Sequence, residues 1–244
     1  MHYFIFPTKD SWISSGLNAS TTGISEKDQN YGQDEILELK KVFQNDTFEY
    51  QSQVLVNFAG DDFTTLSQSV SGGDVPSDAK YYLRLFEAEG TSELSEEYIL
   101  SAFPLWKSWV EGNGKSNDNP KTTNGVSWKN RNDIINGNSI SWSYTEGVKE
   151  LEVAGDLDLN GIEFSEYHVT FANAGQVFNN VTGSDFLGGN DGDDGGGVWI
   201  NKAGYIASQS FSSQATDVEM DVTDMVNKWF TGQANNYGMI LKFS

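Results

Sequence analysis

The densest cluster of oxygen ligands in this sequence is the loop Gly189-Asn-Asp191-Gly-Asp193-Asp194-Gly195. Its three aspartates supply carboxylates, and its glycines would let backbone carbonyls turn inward. Ca²⁺ binds about six to eight oxygen atoms, so it is the metal that we expect if this loop binds one. The competing and simpler interpretation is a solvated loop without metal, because water and salt screen the repulsion between neighbouring carboxylates. No other cofactor is expected.

A second acidic stretch, Asp-Leu-Asp-Leu-Asn-Gly at residues 156–161, matches the first half of an EF-hand loop. The twelfth position of that loop would be Tyr167, where an EF-hand needs a glutamate that binds Ca²⁺ through both oxygens. The leucines alternate as they would in a strand. We therefore interpret this stretch as a strand end and a turn.

Catalytic groups are scarce in this chain. It has no cysteine and only two histidines, His2 and His168, which excludes cysteine nucleophiles and multi-histidine metal centres. His168 falls on the polar face of a predicted strand, where we interpret it as an ordinary side chain in contact with solvent. No G-x-S-x-G, H-E-x-x-H or P-loop pattern occurs. The 35 acidic residues form so many carboxylate pairs that none is singled out for glycoside cleavage. We predict no catalytic residue and no enzymatic activity.

Charge and composition exclude further classes of function. The 244 residues include 15 basic and 35 acidic side chains, which gives a net charge of −20. A surface this acidic repels phosphate, so no nucleic-acid partner is expected. No run approaches the roughly 18 apolar residues of a membrane span, so no membrane partner is expected either. Aromatic residues make up 13% of the chain, enough to build a folded core despite the charge.

Alternation of apolar and polar residues dominates the chain and predicts an antiparallel all-β fold. In residues 80–88, for example, Tyr82, Arg84 and Phe86 face away from Leu83 and Leu85. Strands are predicted at residues 2–6, 35–43, 50–58, 80–88, 97–103, 138–144, 147–153, 162–171, 197–208, 216–222 and 237–243. Loops rich in Gly, Ser, Asn and Asp are predicted at residues 16–34, 60–78, 111–125 and 183–197.

One segment has helical spacing instead. Four apolar side chains follow Thr223 at this spacing: Met225, Val226, Trp229 and Phe230. Asp221 or Thr223 can cap the beginning of such a helix, and Gly232 suits the position just after its end. The pattern predicts a short amphipathic helix that packs over an open end of a β-sandwich.

The beginning of the sequence holds an apolar run, Tyr-Phe-Ile-Phe at residues 3–6, which Pro7 ends. An exposed strand of this kind invites uncontrolled pairing. We expect it to be covered, either by pairing within its own sandwich, the commoner arrangement for a terminal strand, or by a neighbouring chain. The run is too short and lacks the basic flank of a signal peptide, so no export by the secretory route is expected.

The most specific motif lies near the end of the sequence. Its residues are Asp221-Val-Thr223, Val226, Trp229, Gly232, Asn235-Asn236, Gly238 and Leu241-Lys242. This pattern resembles the closing signature of the DNRLRE-type β-sandwich domains. Weaker matches follow the family order at Asp10-Ser-Trp-Ile13, Asn30-Tyr-Gly32, residues 54–58, residues 79–85 and residues 106–128. One position departs from the family pattern, because Gln53 stands where a basic residue is usual.

The resemblance implies one non-catalytic, jelly-roll-like β-sandwich domain over residues 1–244, with insertions at about 86–100 and 140–200. Domains of this family occur as carbohydrate-associated modules of secreted proteins. Similar chains with F-P-x-K-D openings, here Phe6-Pro-Thr-Lys-Asp10, occur as structural proteins of large tailed phages. Because no signal peptide or catalytic domain accompanies the module, we expect a virion structural or decoration protein of the head, neck, tail or baseplate. It would be assembled in the host cytoplasm, in several copies, against other virion proteins.

The alternative function is a carbohydrate-binding module or adhesin that binds a host-surface glycan. Sugar faces stack on exposed indoles. Trp106 and Trp128 match strand positions of the family, where packing explains them. Trp109 and Trp142 are therefore the candidates for contact with a glycan or a partner protein.

Overall fold

The structure, a computed structural model, describes residues 3–16, 26–44, 47–88, 97–133, 139–142, 187–189, 195–212 and 217–244. Within these residues the chain is mostly antiparallel β-strand, with two short α-helices and one turn of 3-10 helix at Glu26–Asp28. This confirms the predicted all-β class. None of the described helices is long and apolar enough to cross a bilayer.

The described strands are β1 (Lys9–Ser14), β2 (Lys41–Gln44), β3 (Thr47–Asn57), β4 (Tyr82–Leu85), β5 (Tyr98–Pro104), β6 (Asn130–Asn132), β7 (Ile140–Ser141), β8 (Leu187–Gly189), β9 (Val198–Ile200), β10 (Ala207–Phe211), β11 (Val218–Asp221) and β12 (Met239–Phe243). The helices are α1 (Asp61–Gly72) and α2 (Thr223–Phe230). A central sheet has the order β1-β3-β12-β5-β10, and β2 also pairs with β3. Smaller sheets pair β11 with β4, β6 with β7, and β8 with β9.

Both faces of the central sheet are buried. Alternation along β3 sends Val54 and Val56 to one core and Leu55 to a second core. On the first face, Leu83 of β4, Met220 of β11 and several side chains of α2 cover the sheet. On the second face, the cover is rich in tryptophan and consists mainly of Leu105, Trp109, Val126, Trp128, Trp142, Val198 and Trp199. The antiparallel all-β class is thus established, whereas the finer jelly-roll topology stays a prediction.

Helix α2 forms where the sequence predicts it. Val222 is the N-cap residue, and Asp221 just before it accepts a hydrogen bond of 2.9 Å through Oδ1 from the Thr223 backbone N–H. The Thr223 hydroxyl instead accepts from the backbone N–H of Tyr81 at 3.0 Å, which ties the helix to the start of β4. Gly232 follows the last turn with a φ of 72° and donates its N–H to the Trp229 carbonyl, as expected for a residue just after a helix.

Helix α1 corrects the loop that the sequence predicts over residues 60–78. Asp61 and Asp62 lie in its first turn, where their negative charges interact favourably with the positive end of the helix dipole. Phe63 packs against the Phe230 ring of α2, with the ring centroids 5.2 Å apart. Gly73 ends the helix in the left-handed conformation. The many Ser, Thr and Gly residues of this segment are typical of a loop, and they obscure the helical spacing of its few apolar residues.

Two further strand predictions need correction. The predicted strand over residues 35–43 begins only at Lys41 in the structure. The predicted strand over residues 197–208 is split into β9 and β10 by a turn, in which Tyr205 N–H donates to the Lys202 carbonyl at 3.0 Å. Gly204 allows this turn because its φ is 81°. The predicted strands at 147–153 and 162–171 lie outside the described residues.

Candidate interaction surface

The positions that the sequence singles out for metal binding are not among those that the structure describes. Asp191, Asp193 and Asp194 lie outside the described residues, as do His2 and His168. In the part of the chain that is described, no three His, Asp or Glu side chains come together as metal ligands. The Ca²⁺ hypothesis and the predicted lack of enzymatic activity therefore stay predictions.

Trp109, a predicted glycan or interface residue, is buried in the second core. Its indole N–H donates to the Tyr237 carbonyl at 3.0 Å. Lys9 covers the ring, since its Nζ lies 4.4 Å from the ring centroid and donates to the Trp109 carbonyl at 2.5 Å. Burial of this ammonium group lowers the pKa of Lys9. The ring face is thus occupied by a cation of the same chain.

Trp142, the other candidate, is fully buried in the same core. Its indole N–H donates to the Ser127 carbonyl at 3.0 Å. A sugar or a partner protein needs an accessible ring face, and neither Trp109 nor Trp142 offers one. The structure therefore gives no support for these two indoles as ligand contacts, and that role stays a prediction. Trp128 is also buried there, which confirms its predicted packing role.

The remaining residues of the closing signature build the fold. Trp229 is buried in the first core. Asn236 Oδ1 accepts from the Gly238 N–H at 3.2 Å, and the Asn235 carbonyl accepts from the Tyr237 N–H at 3.0 Å. Gly238 has a φ of 88°, and a Cβ there would lie 2.3 Å from the Val56 carbonyl oxygen. Asn235, Asn236 and Gly238 form the turn that leads into β12 of the central sheet.

One small cavity opens at the beginning of α2. Its volume is about 110 Å³, and its lining includes Lys80, Asp221 and Asp224. Sites for small molecules are typically ~300–1,000 Å³. Lys80 Nζ lies 3.9 Å from Asp221 Oδ2, and both side chains are about half exposed. The cavity is thus a small solvated depression beside a surface ion pair, and it carries no ligand hypothesis.

The aromatic arm, which we define as residues 3–6, is the most exposed apolar segment among the described residues. Tyr3, Phe4 and Phe6 are 64%, 64% and 76% exposed. The first backbone hydrogen bond after the arm joins Thr8 N–H to the Asn57 carbonyl at 2.8 Å, and the arm itself receives none from the described residues.

The prediction of a strand at residues 2–6 is wrong over the aromatic arm, and none of the described strands pairs with it. Strand β1 begins at Lys9, opposite Asn57 in the register. Its partner β3 ends at Asn57, and the chain then turns at Gly60 into α1. The arm therefore has the continuous apolar sequence of a strand but lies beyond the end of the neighbour that β1 uses.

The outer face of β4 carries the next most exposed rings. Tyr82 is 50% exposed, and Phe86, directly after the strand, is 78% exposed. Arg84 lies between them and forms an ion pair of 2.9 Å with Glu219 of β11. The alternation in the sequence placed these three residues on one face. It did not indicate that this face is open, because that depends on which elements pack around β4.

Among the described strands, β4 is also an edge strand. It pairs with β11 along one side, from Tyr82 opposite Asp221 to Leu85 opposite Val218. No other described strand pairs with it. We call residues 82–86 the β4 edge. Unpaired N–H and C=O groups along such an edge can accept an added strand.

No protein-family model, curated protein or solved structure matches this chain.

Proposed function

We propose that this protein is a non-enzymatic structural or decoration protein of a tailed-phage particle, and that it acts through protein–protein contacts. The resemblance to the DNRLRE-type domains, with the jelly-roll-like sandwich that it implies, supports the phage setting. The observation that carries the contact role is the exposure of the aromatic arm beside a well-packed core. Contiguous exposed apolar side chains of this kind mark interaction sites.

Charge limits the partners that this proposal allows. With a net charge of −20, the protein fits other virion proteins through apolar contacts or through basic patches on their surfaces. Nucleic acid and membrane are not among the proposed partners. The proposed location is the virion, with several copies in each particle.

Purified particles of the phage that encodes this chain provide the test. Quantitative mass spectrometry across a density gradient should find the protein in the particle fraction, at a constant ratio to the major capsid protein. Immunogold labelling should then place it on the head, neck, tail or baseplate. A protein that stays entirely in the soluble lysate, with particles free of it, would overturn the proposal.

Carbohydrate binding, the alternative from the sequence, loses its two candidate indoles because Trp109 and Trp142 are buried. A glycan array probed with the full chain should therefore give no signal above that of an unrelated acidic protein. Reproducible binding to one class of glycan would favour the adhesin alternative instead.

A further inference from the structure

We propose that the aromatic arm of one copy binds along the β4 edge of a second copy as an added strand. The inference deepens the proposed function and rests on it, because it names a second copy of the same chain as a partner of this surface. Strand addition is a common mode of recognition, in which backbone hydrogen bonds bind the segment and alternating side chains select it.

The acceptor presents apolar side chains on both of its faces. Leu83 is buried in the first core, and Leu85 packs against the same core. Tyr82 and Phe86 stand on the opposite, exposed face. A strand added beside β4 would therefore meet aliphatic neighbours on its inner face and aromatic neighbours on its outer face.

The donor has the matching pattern. In an extended conformation, alternate side chains point to opposite faces, so Tyr3 and Ile5 share one face and Phe4 and Phe6 share the other. Both faces of the arm are apolar, whereas a strand at the surface of a lone domain usually has one polar face. The arm spans four residues, as does β4. A partner with two apolar faces is what the arm needs, and the β4 edge provides one.

Charge does not oppose this contact locally. The arm has no ionisable group other than the Tyr3 hydroxyl, and β4 contributes only Arg84, which Glu219 already pairs. The net charge of −20 does repel a second copy at longer range. At an ionic strength of 0.15 M such repulsion is screened beyond about 8 Å. Association should therefore become stronger as salt is added, the opposite of an interface held by ion pairs.

Donor and acceptor are different surfaces of the chain. A contact between them is head-to-tail, and repeated contacts of this type build a ring or a filament. This geometry suits a component that is present in several copies on a particle.

Sedimentation velocity of the full chain tests the association. At low salt we expect mostly single copies, with larger species increasing as salt and protein concentration rise. The variant Phe4→Ser/Phe6→Ser should melt like the wild type, because both rings are exposed, and should stay a single copy under all conditions. Ile36→Ser removes another exposed apolar side chain and is the matched control, which should associate like the wild type.

Disulfide trapping tests the geometry, and the absence of cysteine from the chain makes it specific. Phe4→Cys protein would be mixed under mild oxidation with Tyr82→Cys, Arg84→Cys or Phe86→Cys protein, and with Ile36→Cys protein as the control. We expect at least one β4-edge mixture to form the mixed dimer about tenfold faster than the control.

Three results would overturn the inference: no association at any salt concentration, trapping no faster than the control, or, in a variant that carries both Phe4→Cys and Tyr82→Cys, a disulfide that forms only within one chain. The first two would leave the presence of the protein in purified particles unaffected. The proposed function and this inference can therefore fail separately.

Discussion

The Asn30 side chain donates from Nδ2 to the Val126 carbonyl at 2.7 Å and so joins two segments that lie 96 residues apart. The same amide group donates to the Glu111 carbonyl and accepts from the N–H groups of Gly32 and Gly114. Asn30 is fully buried, and these four bonds use both of its hydrogens and its oxygen. It connects the turn before β2 to the loop that covers the second face of the sheet.

Asn30→Ala should therefore destabilise the fold strongly. It leaves two carbonyls and two N–H groups without their partner in a buried site, and each such group can cost about 1–3 kcal/mol. Since water will reach some of them, we expect the free energy of unfolding to fall by about 3–5 kcal/mol. Urea denaturation measures this change. Asn117→Ala, at an exposed position of the same loop, is the control and should stay within about 0.5 kcal/mol of wild type.

Tyr31, next to Asn30, should make stability fall at alkaline pH. Its ring stacks on Trp12 with the centroids 3.7 Å apart. Burial of the hydroxyl, with the negative charge of Glu26 and other nearby carboxylates, raises the pKa of Tyr31 above its ordinary value near 10. The folded state thus favours neutral tyrosine. Its contribution to stability is complete below about pH 10 and is lost as the pH rises from there towards the folded-state pKa.

Tyr31→Phe keeps the stacked ring and removes the ionisable group. The variant should be about as stable as wild type near neutral pH and should lose less stability than wild type above about pH 10. Thermal melts from about pH 8 to pH 11 compare the two proteins. Parallel profiles for wild type and variant would show that Tyr31 does not contribute to the alkaline loss.

Helix α2 could be predicted because its signals are local. Met225, Val226 and Trp229 share one face at helical spacing, with Asp221 just before the helix and Gly232 just after it. The burial of Trp109 and Trp142 could not be predicted in this way. Each indole donates to a carbonyl outside its own loop, and Lys9, 100 residues away, covers Trp109. A tryptophan in a polar loop has the same sequence pattern whether it is buried or exposed.

At the aromatic arm, by contrast, local sequence signals predict a strand that the structure does not form. Its run of β-branched and aromatic residues is a correct local signal for a strand, but a strand also needs a neighbour to pair with. Among the described strands that neighbour is missing, because β3 ends at Asn57, and this depends on tertiary structure. The same sequence signal that failed to predict the fold of the single chain is the basis for the proposed contact between copies.

Burial of the tryptophans can be tested in solution. Six of the seven are buried: Trp12, Trp109, Trp128, Trp142, Trp199 and Trp229. We therefore expect the folded protein to emit at short wavelength and to resist quenching by iodide, with a several-fold increase in quenching after unfolding in urea. Strong quenching in the folded state would contradict the burial of these indoles and would favour Trp109 and Trp142 again as glycan candidates.

Trp229 should be among the side chains on which the fold depends most. It lies in the first core with Met225 and Val226, and the edge of its ring meets Phe63 of α1 at 6.1 Å between centroids. It therefore connects α2, α1 and the central sheet. Truncation of a buried tryptophan to alanine typically costs ~3–5 kcal/mol, a large share of the ~5–15 kcal/mol that stabilises a domain. Trp229→Ala should leave little folded protein at 37 °C.

A conservative variant separates packing from hydrogen bonding at this position. The Trp229 indole N–H is buried and has no hydrogen-bond partner in the described structure, so Trp229→Phe loses no such bond. We expect Trp229→Phe to cost less than half as much as Trp229→Ala, because the phenyl ring keeps part of the packing. Phe86→Ala, at an exposed ring, should change the free energy of unfolding by less than about 0.5 kcal/mol. Urea denaturation of the three variants gives the order. If Trp229→Ala unfolds at the same urea concentration as Phe86→Ala, α2 does not cover the first core as described.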